Sequence, residues 1–209
     1  DSLSKNKNVK IVPSQNEQGA SLAADAYTRV SNKIGVVVAT SGPGIINCLQ
    51  GMACSYYDSI PSLYISGAPI RRQLKKNPKL RQLGFQEMDV VTTVKDITKY
   101  SKRILNPDEI EYEIDKCLKI AKSGRPGPCL LDIPDDIQRA IINKKTQKKF
   151  IFKRKKIETI SIKKIKQVTN LLNKSKRPIV VIGSGIKIHS TKSKLINFLK
   201  KYKYPYAPT

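Results

Sequence analysis

The sequence predicts an α/β protein: a parallel sheet with helices on both faces, followed by the beginning of a second α/β unit. Three observations predict it. Short β-branched apolar runs alternate with segments of helical periodicity, the signature of successive strand–helix–strand units. The run from Ile34 to Thr40 is apolar almost without interruption, as expected of a strand buried on both faces of a parallel sheet. Between about Arg139 and Lys156 the composition shifts to lysine, and the alternation of strand and helix patterns then resumes.

The elements follow in order. Val9-Lys10-Ile11-Val12 reads as a short strand stopped at Pro13. Glu17 to about Ser31 reads as a helix, with Leu22, Ala23, Ala26 and Val30 recurring at helical spacing as its buried face. The strand at Ile34 to Thr40 breaks at Ser41-Gly42-Pro43-Gly44, and a helix then runs to about Tyr57. Ile45, Ile46, Cys48, Leu49, Met52 and Ala53 lie on more than one side of that helix, which predicts burial from several directions. Ser62 to Ser66 is the next strand, ended by Gly67. Arg71 to Leu83 is basic and unpatterned, hence a loop, and Phe85 to Val91 begins a helix. Asn106-Pro107-Asp108-Glu109 carries a cap, a first-turn proline and two acids, a clear helix start. Ile110, Ile114, Cys117, Leu118 and Ala121 form the buried stripe of that helix, Gly124 ends it, and Pro128 to Ile133 is the closing strand.

These readings divide the chain into a first domain at 1–142, a basic linker at 143–160 and the start of a second α/β domain at 161–209. In the last part Ser161 caps a helix carrying Ile162, Ile165, Val168, Leu171 and Leu172. Pro178 to Ile182 is a strand, Thr191 to about Tyr202 a helix, and Tyr204 to Thr209 enters a further strand. Gly183-Ser184-Gly185 lacks the third glycine of a dinucleotide fingerprint and reads as a turn.

Composition excludes several function classes. No apolar run reaches the roughly 18 residues of a membrane helix, and Asp-Ser-Leu-Ser-Lys at the start is not a signal peptide; a cytoplasmic protein without membrane contact is expected. The four cysteines Cys48, Cys54, Cys117 and Cys129 form no CxxC pair and read as reduced residues. With His189 as the one histidine, a histidine metal site or a Ser-His-Asp triad has no basis, and no metal-ligating set is predicted. The net charge of +24 invites a nucleic-acid reading. Lysines spread over loops and helix faces, without any nucleic-acid-binding motif, favour a solvated basic surface instead.

Asn16-Glu17-Gln18-Gly19-Ala20 and Ala39-Thr40-Ser41-Gly42-Pro43-Gly44-Ile45-Ile46-Asn47 together resemble the pyrimidine-binding domain of thiamine-diphosphate enzymes of the acetolactate synthase type. The resemblance continues, in family order, through Asp58-Ser59-Ile60-Pro61, Phe85-Gln86-Glu87, Gly124-Arg125-Pro126-Gly127-Pro128 and Asp132-Ile133-Pro134. Chance matches rarely keep order over about two thirds of a chain. The resemblance implies a role for each matched residue. Glu17 is the implied catalytic carboxyl: it would hydrogen-bond the ring nitrogen of the cofactor's aminopyrimidine and stabilise the tautomer that acts as base. A carboxyl buried in an apolar crevice has a raised pKa and can share such a proton. Without the downstream motifs, Glu17 would read as an ordinary first-turn glutamate favoured by the helix dipole. Pro43, Gly44 and Asn47 are implied cofactor contacts, and Gln86 is implied beside the reaction centre. The plain alternative for Ser41 to Gly44 is a strand-to-helix turn; a phosphate loop would need a Gly-Lys-Ser/Thr ending that is absent.

The implied function is a thiamine-diphosphate-dependent carboligase or decarboxylase acting on a 2-oxo acid, built as a homodimer or homotetramer. The helix after Gly44 is expected at or near the subunit interface. Mg²⁺ and the diphosphate would be held outside this chain, which the resemblance implies to be a fragment of a longer or split protein. FAD, bound by some relatives, is neither supported nor excluded. Asn16 stands where many acetolactate synthases have histidine, and the approach to Gln86 is longer and more polar than the family pattern. Both features resemble the acetolactate synthase homologues of surface-polysaccharide biosynthesis more than the branched-chain amino-acid enzyme, which leaves the substrate open and not the cofactor. The competing classes are a non-catalytic binding or regulatory module with the same fold and a basic nucleic-acid-binding protein.

Overall fold

The computed structural model describes residues 2–77, 79–143, 149–152, 159–188 and 191–209. It divides into two compact units, 1–153 and 154–209. Most of the lysine-rich stretch assigned to a linker, and His189, lie outside the described residues.

The first unit contains α1 (Ser2–Lys5), α2 (Glu17–Ser31), β1 (Gly35–Ala39), α3 (Pro43–Ile46), α4 (Leu49–Tyr57), β2 (Ser62–Ala68), α5 (Val90–Thr93), β3 (Tyr100–Arg103), α6 (Ile110–Lys122), β4 (Cys129–Pro134) and α7 (Asp135–Gln138). The strands form one sheet in the order β1-β2-β4-β3, and every pair is parallel. One face carries Val37, Ala39, Tyr64 and Leu130, packed against Ala24 of α2, Ile45 of α3, Met52 of α4 and Val90 of α5. The other carries Leu63, Leu131 and Ile133, packed against Cys117 and Ala121 of α6 and Ile137 of α7. The sheet is thus covered by helices on both faces.

Several local expectations are corrected. Val9 to Val12 forms no strand: Val9, Ile11 and Val12 are exposed, because an extended segment needs a neighbouring edge to satisfy its backbone and none pairs with it. Strand β1 is buried on one face only. Val36 and Val38 are 52% and 61% exposed, since α6 lies over β2, β4 and β3 and leaves this edge of the sheet open. The helix predicted from Gly44 to Tyr57 is two helices, interrupted at Asn47 and Cys48, both of which keep right-handed dihedrals. Its exposed positions are Asn47, Gln50, Cys54 and Tyr57, one polar-edged stripe; the apolar remainder is covered within the unit. The helix predicted from Phe85 starts only at Val90, where Asp89 caps it by accepting from Thr92 N.

The largest correction concerns α2. Its buried residues are Ser21, Ala24, Asp25 and Thr28, while Leu22, Ala23, Ala26 and Val30 are exposed, Val30 by 85%. Small and polar side chains win the inner face because each finds a partner there. Thr28 Oγ1 accepts from Gly35 N at 2.8 Å, and Asp25 accepts from Ser55 Oγ at 2.8 Å and Arg29 Nε at 2.5 Å. Satisfied polar groups tolerate burial, and small ones let α2 approach β1 and α4 closely. Strand β3 was not legible as a strand: Tyr-Ser-Lys-Arg reads as polar, yet Lys102 pairs with Glu109 and Glu113 on the helical segment that follows, and Arg103 with Asp132 on β4.

All four cysteines are free, with Cys48, Cys117 and Cys129 buried and Cys54 exposed. Burial pushes the Cys48 thiol up to about 11. Among the described residues no helix is long and apolar enough to cross a membrane.

The second unit holds α8 (Ile162–Lys174), capped by Ser161 through Lys164 N, then β5 (Val180–Ile182), α9 (Gly185–Ile188), α10 (Lys192–Tyr202) and β6 (Tyr206–Pro208). Strands β5 and β6 pair in parallel, and Leu199 of α10 is buried.

Candidate functional site

Glu17 occupies the first turn of α2. The Asn16 side chain caps that turn, accepting from Gly19 N at 2.7 Å with extended backbone dihedrals. The α2 N-terminus lies beside the turn that follows β1, at the carboxyl ends of the parallel strands, where open α/β sheets bind ligands. Asn47 Nδ2 donates to Glu17 Oε2 at 3.1 Å, and Cys48 Sγ donates to the Glu17 carbonyl at 3.4 Å. One carboxylate oxygen is therefore held and the other lies over Gly44. The Asn47 bond, followed by the backbone N–H of Glu17 itself, holds this carboxyl below the usual glutamate range. That reverses the expected raised pKa: Glu17 stands at a rim and not in an apolar crevice, so no desolvation outweighs its donors.

The glycines have separate jobs. Gly42 has φ +58°, and a Cβ there would collide with the Gln86 carbonyl oxygen. At Gly44 an added Cβ would stand 2.5 Å from Thr40 Cγ2 and 3.3 Å from Glu17 Oε1, so no side chain fits there beside the carboxylate. Pro43 sits at the start of α3, exposed, where its fixed φ suits a helix start. Gln86 also has a left-handed backbone, φ +54°, a conformation that costs a non-glycine residue roughly 1–2 kcal/mol. It is the third residue of a turn closed by Glu87 N donating to Gly84 O at 3.2 Å. The structure thus brings Glu17, Gly44 and Asn47 together directly, places Gln86 against them through Gly42, and leaves Pro43 on the surface of the same turn.

Sequence reasoning missed the supports. Arg103 donates through Nη2 to the Met88 carbonyl at 2.9 Å and through Nε to Asp132 at 2.5 Å, while Ser66 Oγ donates to Asp132 at 2.6 Å. Burial pushes the Asp132 carboxyl up, against the bonds from Ser66 and Arg103. Arg71 donates to both oxygens of Asp136 and to the Leu105 carbonyl, fixing the start of the basic loop. For Asp132 the available signal was an isolated acid within an otherwise apolar strand. Among the described residues no group of three or more His, Cys, Asp or Glu is placed to hold a metal ion.

The Glu17 carboxylate, with Asn47 on one oxygen, thus stands beside a tightly turned backbone in which neither Gly42 nor Gly44 has room for a side chain. Residues 1–93 match the family described as thiamine pyrophosphate enzyme, N-terminal TPP binding domain. The chain is also 33% identical over 186 residues to "Acetolactate synthase 3, chloroplastic" of Brassica napus, covering 88% of this chain and 28% of that protein. To "Acetolactate synthase" of Arthrospira platensis it is 32% identical over 198 residues, 93% of this chain and 33% of the relative. To "Acetolactate synthase large subunit" of Porphyra purpurea it is 33% identical over 204 residues, 96% and 34% respectively. The chain belongs to the acetolactate synthase-like family of thiamine-diphosphate enzymes. It spans 28–34% of the length of these relatives.

Proposed function

We propose that this chain forms the pyrimidine-binding part of a thiamine-diphosphate-dependent carboligase or decarboxylase of 2-oxo acids. The observation that carries the reading is the Glu17 carboxylate, held through Oε2 by Asn47 at 3.1 Å with Oε1 facing the place a Cβ on Gly44 would occupy. The residues fit the cofactor's ring: the tight Gly42–Pro43–Gly44 turn, which admits no side chain at either glycine, shapes its edge, and Glu17 presents an oxygen to a ring nitrogen. When bound, thiamine diphosphate supplies a thiazolium carbon able to add to a 2-oxo acid carbonyl and accept the electron pair released with CO₂. Glu17 holds and returns the proton at the ring nitrogen. Asn47 keeps the carboxylate turned toward the ring, and Gln86 orients the substrate carbonyl. Mg²⁺ and diphosphate ligands are assigned to residues outside this chain.

The same reading makes the enzyme a homodimer or homotetramer in which a second subunit covers Glu17. The exposed apolar stripe Leu22, Ala23, Ala26 and Val30 on α2 supports it: a helix face with this much bare apolar surface, adjoining a functional rim, marks an interaction surface. This adds α2 to the helix after Gly44, which packs beside it, as the proposed interface.

In the full-length protein Glu17→Gln is expected to lower turnover by at least ~10²-fold, the usual scale of lost acid–base function; near-normal turnover would sink the assignment. Mixing Glu17→Gln subunits with subunits disabled in the diphosphate site is expected to restore activity. Confirmed subunit exchange without returning activity excludes sites shared between subunits. This 209-residue chain alone is expected to bind thiamine diphosphate too weakly for calorimetry at about micromolar concentrations, because metal-bridged diphosphate contacts carry much of the affinity.

A further inference from the structure

Between Arg71 and Met88 the only carboxylate is Glu87, set among six basic side chains: Arg71, Arg72, Lys75, Lys76, Lys79 and Arg81. It forms no salt bridge with their charged heads, although the Lys75 charge adds to what holds its carboxyl low. Instead its side chain is turned inward and is 5% exposed. Lys75 N donates to Oε1 at 2.7 Å, Leu83 N to Oε2 at 2.7 Å and Gly84 N to Oε2 at 3.4 Å. The carboxylate thus ties together both ends of the basic excursion. The same excursion is cross-linked by Lys75 Nζ donating to the Arg81 carbonyl at 3.1 Å.

The clamp sits next to an energetically unfavourable backbone. Glu87 N closes the turn onto Gly84 O, and Gln86 inside that turn holds φ +54°. A glycine would adopt this conformation without strain, so a glutamine here has to be held. Gly42 is the surface that Gln86 is held against, and Gly84 is pinned at the other side, where an added Cβ would lie 2.6 Å from Pro69 Cβ. Arg103 fixes the residue after Glu87 through the Met88 carbonyl. Strained non-glycine residues persist where surrounding structure over-determines them, and they cluster at functional sites.

We propose that Glu87 is a positioning residue: by closing the basic loop on itself, it holds Gln86 in the left-handed turn against Gly42 and so presents the Gln86 side chain to the substrate bound beside Glu17. This rests on the thiamine-diphosphate reading above and adds to it a residue that touches neither substrate nor cofactor.

The test is a double-mutant cycle in the full-length enzyme, with pyruvate as the probe 2-oxo acid and saturating thiamine diphosphate and Mg²⁺. Glu87→Ala is expected to lower kcat/KM about 10–100-fold, the cost of a misplaced substrate-orienting group, while the Kd for thiamine diphosphate changes less than about twofold. Glu87→Gln, which keeps one acceptor oxygen, is expected to recover part of the loss. A positioning residue acts through Gln86, so the Gln86→Ala/Glu87→Ala double variant is expected to be no worse than Gln86→Ala alone, within about twofold. Should Glu87→Ala not fold, the cycle is run with Glu87→Gln. Losses that multiply, or a Kd for cofactor that rises as much as KM, overturn the proposal: Glu87 would then be a structural residue acting on the whole site. An active wild type, an inactive Glu17→Gln variant and multiplying losses overturn the positioning role alone. A wild type without thiamine-diphosphate-dependent turnover overturns both this role and the functional reading beneath it.

Discussion

Two glutamates stand at this end of the sheet, and both have a carboxyl held below the ordinary glutamate range, for opposite structural reasons. Glu87 is buried, which pushes its pKa up, but three backbone N–H groups from Leu83, Lys75 and Gly84 push it further down. Glu17 is at the rim and takes its shift chiefly from one side-chain donor, Asn47. Every oxygen of Glu87 is spoken for, whereas Glu17 keeps one facing Gly44. A depressed pKa therefore does not by itself mark the reactive group. On the proposed reading, the difference between a saturated and a half-occupied carboxylate does, because only the second can accept a proton from a ligand without breaking the fold.

Substitutions can sharpen or break this contrast. The largest effect is expected from Glu17→Gln on turnover, with no change in the melting temperature, because its side chain closes no loop; a variant that melts early would place Glu17 among the structural residues. Next, Glu87→Ala is expected to destabilise the full-length protein by about 1–3 kcal/mol, measured by urea denaturation, since it leaves buried N–H groups without an acceptor. An unchanged denaturation midpoint would contradict the clamp.

A smaller effect is expected in the pH dependence of stability. The folded-state pKa of Glu87 lies below its ordinary value of 4.5, so its contribution is fully present above that value and is lost as pH falls through the folded pKa. Asp132, pushed up by burial, runs the other way. Comparing wild type with Glu87→Gln isolates the first: the variant is expected to lose less stability over the acid range, and parallel curves would contradict the assignment. The smallest effect is expected at Asn47. Asn47→Ala removes the main donor to Glu17, so the Glu17 carboxyl should titrate at higher pH than in wild type, read from its side-chain carbon resonance. A shift downward would mean that Asn47 does not hold the carboxylate.

Much of this was legible in the sequence, and the failures have a common cause. Periodicity identified α2, β2, α6 and β4, and the ordered motifs brought Glu17, Gly44, Asn47 and Gln86 onto one end of the sheet. What periodicity could not supply was the direction of each face. In α2 the apolar positions Leu22, Ala23, Ala26 and Val30 look outward and Ser21, Asp25 and Thr28 look inward, because the inner face is decided by hydrogen-bond partners on β1 and α4 that lie far along the chain. Strand β3 was invisible for the same reason: Lys102 and Arg103 are at home in it only through acids contributed by later elements. Glu87 looked like the tail of a motif, and its role depends on amides of Lys75 and Leu83 brought to it by the loop.

The central claim is that the carboxylate of Glu17 meets the pyrimidine ring of thiamine diphosphate. A crystal structure of the full-length protein with the cofactor bound tests it most directly. The account predicts a Glu17 carboxyl oxygen within about 2.6–3.2 Å of a ring nitrogen, with the ring lying over Gly44. A bound cofactor whose nearest ring nitrogen is more than about 4 Å from Glu17, beyond hydrogen-bond reach, would contradict it.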